Sequence, residues 1–224
     1  MGLIDYRTLL IECDEVLVDR DAGVWAALQP LLGDGDGKGD GAGAHHKDVA
    51  LAAYKEAVRS LHPRFDELGF SGLQCFALLQ AAERLGVKAS WDDGMTFARS
   101  VPNWALFEDV PGAMLYLQKF YQLLVLVDRD VEDRGMLSER LGLAPERLLS
   151  LAGHSLQRTQ WLTALDIDPA DTLLLSRPPA QPLASGGLCL MRRAPSEHRQ
   201  PCGAHFCISS MADLARQHQL SLRR

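Results

Sequence analysis

The chain lacks what would place it in a membrane, in an oxidising compartment or on a nucleic acid. No apolar run approaches the roughly 20 residues that a transmembrane helix needs. Met1-Gly2-Leu3-Ile4-Asp5 carries neither the basic start nor the apolar core of a secretory signal, so the expected location is cytoplasmic. Five cysteines (Cys13, Cys75, Cys189, Cys202, Cys207) in 224 residues are too few and too irregularly spaced for a disulfide framework, and they are read as reduced. Basic residues are in the minority, Lys+Arg 23 against Asp+Glu 29, for a formal net charge of -6. They are scattered apart from Met191-Arg192-Arg193 and Arg223-Arg224, which argues against nucleic acid as a partner.

What is present is apolar. A hydrophobic content of 47% is enough for one substantial core, or for a core domain with a small insert. Thr8 to Val18 is mostly apolar and acquires acids towards its end, which predicts a buried strand. Leu123 to Val127, Thr172 to Leu175, Leu188 to Met191 and His205 to Ile208 are further short strands. Helices are expected over Val24–Leu32, from Asp48 to Pro63, over Phe70–Leu85, after a Ser90-x-x-Asp93 cap, from Val110-Pro111 to about Phe120, over Val131–Leu141, Ser155–Leu165 and Met211–Gln217. In the Asp48–Pro63 stretch, Val49, Ala52, Ala53, Ala57 and Leu61 recur at helical spacing, and Trp91, Trp104 and Trp161 read as packing residues. The glycine-rich stretch from Gly33 to Gly43 is low-complexity and reads as a flexible loop. Strands alternating with helices imply a mostly parallel sheet.

The segment Leu9-Leu10-Ile11-Glu12-Cys13-Asp14-Glu15-Val16-Leu17-Val18 resembles the first motif of the haloacid dehalogenase (HAD) superfamily, Asp-x-Asp-x-Thr/Val-Leu. The likeness to the type II haloacid dehalogenase branch extends along nearly the whole chain. Asp21-Ala22-Gly23-Val24 with Ala27-Leu28-Gln29-Pro30-Leu31-Leu32 resembles the entry into its cap, and Ser100-Val101-Pro102-Asn103-Trp104 with Phe107-Glu108-Asp109-Val110 the return. Trp161-Leu162-Thr163-Ala164-Leu165 and Leu188-Cys189-Leu190-Met191-Arg192-Arg193 match later elements. The resemblance implies an α/β fold: a Rossmann-like HAD core with a mostly parallel sheet (residues 1–20 and 101–224) and an inserted helical cap domain (residues 21–100, with a flexible loop at 33–46).

It also implies where the chemistry would stand. Glu12 occupies the position of the attacking carboxylate, one methylene longer than Asp, and misplacement by about 1 Å can lower a rate ~10²-fold. The second motif acid survives as Asp14, and the hydroxyl of the first motif is replaced by Val16. The Ser/Thr that holds the transferring group falls on Asp128, and the Lys of the third motif falls on Ser155 with Arg158 a turn away. The acid that holds Mg²⁺ in phosphatases finds no match in Ser176-Arg177-Pro178-Pro179. The catalytic candidates are therefore Glu12, Asp14 and Asp128, and the substrate-binding candidates Arg129, Ser155, Arg158, Ser176 and Arg177. No metal ligand set and no cofactor is expected; the resemblance leaves Mg²⁺ open as an alternative, although its fourth-motif acid is missing. Two carboxylates ~4 Å apart repel by ~4 kcal/mol at an effective dielectric of ~20, so such a cluster should recruit a cation or draw in Arg129, Arg158 or Arg177.

Two other groups point to metals less well. Asp34-x-Asp36-x-x-x-Asp40 has the wrong order for a calcium loop, with His45 where the closing Glu should stand. His198, Cys202, His205 and Cys207 fit no standard zinc spacing. The expectation is a HAD-like hydrolase-fold protein that has lost standard dehalogenase or phosphatase turnover, a pseudoenzyme that binds a small-molecule ligand or a protein partner. The alternative is a divergent hydrolase acting on a small anionic or halogenated substrate through Glu12 and Asp14 in the cleft between core and cap. No nucleic acid or membrane is expected as a partner; type II relatives leave a homodimer open.

Overall fold

A computed structural model of the chain describes residues 2–33, 40–150, 162–180, 182–183, 185–193 and 203–223. Contacts divide it into two compact units: Met1–Val18, Leu106–Asp128 and Arg134–Arg224 in one, Asp19–Ala105 and Arg129–Asp133 in the other.

The first unit is built on six parallel strands: β1 (Thr8–Glu12), β2 (Gln122–Leu126), β3 (Leu148–Leu149), β4 (Thr172–Ser176), β5 (Gly187–Met191) and β6 (Phe206–Ile208). Their order is β3-β2-β1-β4-β5-β6 and every pairing is parallel. Strands of this kind bury both faces, which explains their unbroken apolar runs. Leu10, Leu124, Leu126, Leu174, Leu188 and Leu190 form one buried cluster. Each such leucine contributes ~1.5–3 kcal/mol by leaving water. Helices α5 (Val110–Leu117), α6 (Val131–Leu141) and α7 (Met211–Ser221) accompany the strands in sequence. The chain runs from β1 to β2 on one side and returns by β4 on the other. This reversal of order outside the carboxyl ends of neighbouring strands is where open α/β sheets bind ligands.

The second unit is helical: α1 (Arg20–Leu32), α2 (Asp40–Leu61), α3 (Phe65–Arg84) and α4 (Trp91–Ser100). Asp19 caps α1 through the Ala22 N–H at 2.8 Å. Ser90 and Asp93 form the anticipated capping box on α4. Tyr54 and Phe97 meet edge to face at 5.8 Å, and the Tyr54 hydroxyl donates to buried Gln74. Gly69 breaks α3 with φ 65°, a conformation glycine adopts without steric penalty. Just beyond that break, the Ser71 N–H donates to Asp130 at 3.3 Å and its hydroxyl donates to the same oxygen.

Several expectations need correction. The first strand stops at Glu12; Cys13 to Val18 forms a hydrogen-bonded turn, because Leu17 and Val18 return their N–H groups to the Cys13 carbonyl at 2.9 and 3.1 Å. Helix α2 begins at Asp40, not Asp48, so the expected loop at 33–46 is helical in its second half, and glycines 41 and 43 are carried within a helix despite ~1 kcal/mol each in propensity. Its buried residues are Ala50, Leu51, Tyr54 and Ala57; of the expected stripe Ala57 is buried, Ala53 and Leu61 are half-buried, and Val49 and Ala52 are exposed. Trp91 is exposed rather than packed inside, with its ring edge-on to Phe76 at 5.5 Å. Cys207 on β6 is disulfide-bonded, whereas Cys13, Cys75 and Cys189 are buried and form no disulfide. Irregular sequence spacing carries no information about a pair that the fold brings together. The calcium-loop residues Asp34 and Asp36 lie outside the described residues, as do Trp161, His198 and Cys202. No helix among the described residues is long and apolar enough to cross a membrane.

Candidate functional site

The candidate residues stand where the parallel strands of the first unit end. Apolar strand interiors force the first polar side chains to the carboxyl edge, so each strand delivers its chemistry there. Glu12 closes β1 and pairs in register with Leu126 of β2. Ser176 closes β4 and is almost wholly buried. Its hydroxyl donates to the Glu12 carboxylate. Across the β1–β4 junction, Arg177 donates to the Glu15 carboxylate at 2.8 Å, and the two side chains are only 26% and 10% exposed. Glu15 sits at φ 66°, a left-handed backbone conformation that a non-glycine residue adopts at a cost of about 1–2 kcal/mol. The ion pair and the Glu15 N–H bond to the Val18 carbonyl at 2.7 Å hold it there.

Asp128 follows β2 by two residues and is exposed. It accepts from the Ser150 hydroxyl, which follows β3, at 3.0 Å. The adjoining backbone is tied the same way, Val127 N–H to Leu149 carbonyl at 2.8 Å. Asp14 is half-buried in the turn, bridged by backbone to Val18. Thus a serine at the end of a neighbouring strand serves Glu12 and Asp128 alike. Arg177, expected near the cluster, is engaged by Glu15. Arg129, expected to bind substrate, is buried in the other unit with its guanidinium over the Trp104 ring at 5.7 Å. Ser155 and Arg158 lie outside the described residues.

Glu15 and Ser150 were not singled out from the sequence. Glu15 had a signal in the run of acids 12, 14 and 15, since a third charge at a strand end needs a partner. Ser150 had none, because a two-residue strand leaves no pattern.

A second polar hub lies in the same unit. Asp109 accepts from Arg193 at 2.9 Å and from the Met211 and Ala212 N–H groups at 2.5 and 3.3 Å at the start of α7. Arg193 also donates to the Val16 carbonyl at 2.8 Å and lies 3.7 Å from the Phe107 ring centroid. Burial pushes the Asp109 carboxyl up, but the Arg193 guanidinium and the two backbone donors outweigh it and hold it below the ordinary carboxylate range. His205, a member of the Cys/His group, accepts the Leu188 N–H at Nδ1, 3.1 Å, and so closes a gap at the start of β5. Among the described residues no group of three or more His, Cys, Asp or Glu side chains is arranged to hold a metal ion.

No protein-family model and no curated protein matches the sequence. Solved structures do. L-2-haloacid dehalogenase RSc1362 aligns with a TM-score of 0.71 at 14% identity, over 96% of this chain and 99% of its own. The L-2-haloacid dehalogenase of Xanthobacter autotrophicus, determined with chloropropionic acid covalently bound, aligns at 0.66 and 14% identity, over 96% and 98% of the two chains. The putative HAD-hydrolase YfnB of Bacillus subtilis, determined with magnesium, aligns at 0.65 and 16% identity, over 96% and 99%. At such identities the likeness is one of fold: the chain has the HAD fold over nearly its whole length.

Proposed function

We propose that this HAD-fold chain no longer performs standard dehalogenase or phosphatase turnover and acts by binding a small-molecule ligand or a protein partner. The observation that carries the reading is the hydrogen bond from Ser176 to Glu12. A carboxylate that attacks carbon or phosphorus needs a lone pair aimed at the substrate and a geometry good to about 1 Å. Glu12 is a methylene too long, and one carboxylate oxygen is turned along the sheet edge towards β4. Arg177 supports the same reading, because its charge is spent on Glu15. Asp128 in place of a hydroxyl adds a negative charge where an anionic group would have to sit.

The test is turnover of p-nitrophenyl phosphate and of 2-chloropropionate, with and without Mg²⁺, together with intact-protein mass spectrometry. The expected result is no turnover above buffer and no mass increment on Glu12. Turnover that Glu12→Ala abolishes would overturn the proposal, as would a covalent adduct on that side chain. Glu12→Asp combined with Asp128→Ser and Ser155→Lys is expected to bring measurable activity, since it returns the nucleophile, the hydroxyl and the cation together.

A further inference from the structure

The helical unit contains a cavity of about 600 Å³, within the range typical of small-molecule sites. One wall is the small-residue face of α1, with Ala22, Ala26, Ala27 and Pro30; the other is α4, with Asp93, Thr96 and Ser100. Leu78, Phe97 and Trp104 also line it, and Trp104 packs so closely on α1 that a Cβ at Gly23 would lie 2.5 Å from its ring. The lining is mainly apolar and carries a single formal charge, Asp93. That carboxylate uses Oδ2 to accept from the Ser90 N–H and hydroxyl, both at 2.7 Å, and its Oδ1 takes no hydrogen bond among the described residues. The two Ser90 donors hold Asp93 below the ordinary carboxylate range, so it is ionised at neutral pH. Asp93 and Ser100 lie seven positions apart on α4, which separates them by about 10 Å along the axis. The acid therefore stands towards one end of the cavity, with Phe97 one turn further along α4 and Trp104 beyond its C-terminal end.

We propose that this cavity is a binding site for an aromatic amine cation, with the ammonium at Asp93 Oδ1 and the ring against Phe97 and Trp104. Charge complementarity selects this class. The ammonium gains from the one ionised group of the lining, which repels an anion of the same shape, and the ligand ring packs against Phe97 and Trp104, the latter also contacted by the Arg129 guanidinium at 5.7 Å. The Thr96 hydroxyl and the Asn103 amide belong to the same lining and offer hydrogen bonds to polar substituents. The site does not depend on the reading of the strand-edge residues.

The probe is 4-phenylbutylamine, compared with 4-phenylbutanoate by calorimetry and by tryptophan emission of the full chain. The amine is expected to bind saturably below about 1 mM, at least about fivefold more tightly than the acid. Trp104→Phe should remove most of the emission change while binding heat persists. Asp93→Asn, which keeps a capping residue, should bring amine and acid to about equal affinity. Ala26→Trp, at an exposed position of the α1 wall, should block both. Binding of the acid as tight as that of the amine, no saturable amine binding, or amine binding untouched by Ala26→Trp would each overturn the proposal. Circular dichroism confirms that each variant is folded before it is scored.

Discussion

A single imidazole and a single guanidinium show how this chain handles charge away from water. His218 on α7 is almost fully buried, 2% exposed, with the Tyr116 hydroxyl 2.9 Å from Nδ1 and the rings of Phe120 and Tyr121 around it. Burial pushes its pKa below the ordinary histidine value. The folded state then holds the ring neutral where the unfolded chain, titrating near ~6.5, takes up a proton. Stability should therefore fall as the pH drops through about 6.5, and the fall should level off once the folded-state pKa is passed. Melting temperatures across that window should slope for the native chain and flatten for His218→Phe. Arg177→Ala removes the partner of Glu15 and should destabilise by about 1–3 kcal/mol in urea unfolding, less than for a fully buried pair because the Arg177 side chain is 26% exposed. The acids at 12, 14 and 128 could be read from sequence as a cluster needing relief. What relieves Glu12 and Asp128 could not, because serines 176 and 150 come from strands 164 and 22 residues away in sequence.

Elements in this chain obey local rules where the rule is chemical and depart from them where packing decides. The Ser90/Asp93 box and the proline at the first turn of α5 formed as expected, since caps are set within one turn of chain. Ser90→Ala should lower the stability of the helical unit by about 1 kcal/mol, measurable as a shifted denaturation midpoint. On α2 the expected Ala57 is buried, but Ala50, Leu51 and Tyr54 join it in place of Val49 and Ala52, because Tyr54 turns inward to meet Phe97 and Gln74, a contact that alanine spacing could not reveal. Close approach of α1 to Trp104 is likewise tertiary. Gly23→Ala should cost about 1–3 kcal/mol through overpacking, although alanine is the better helix former.

For the molecule as a whole, Asp109 joins segments far apart in sequence: the loop before α5, the end of β5 through Arg193, the turn after β1 through Val16, and the first turn of α7. Its carboxyl is held below the ordinary range, so its ionised form stabilises the fold above about pH 4 and that contribution is lost as pH falls through the lower folded-state pKa. Asp109→Asn should be markedly less stable than the native chain at neutral pH, by about 2–4 kcal/mol, and the gap should narrow in acid unfolding below pH ~4. An unchanged gap at pH ~2.5 would contradict the linkage.

The alternation of apolar strand and helix, carried by short-range hydrophobic patterning, settled the parallel α/β sheet, and the acids at strand ends settled which edge bears the polar groups. These features depend on residues close together in the chain, so the sequence alone determines them. Only the tertiary structure decided that Ser176 holds Glu12, that Glu15 takes Arg177 and that Arg129 lies in the helical unit over Trp104. Each of those partners is chosen by strand order and by packing across the chain, which linear spacing does not encode.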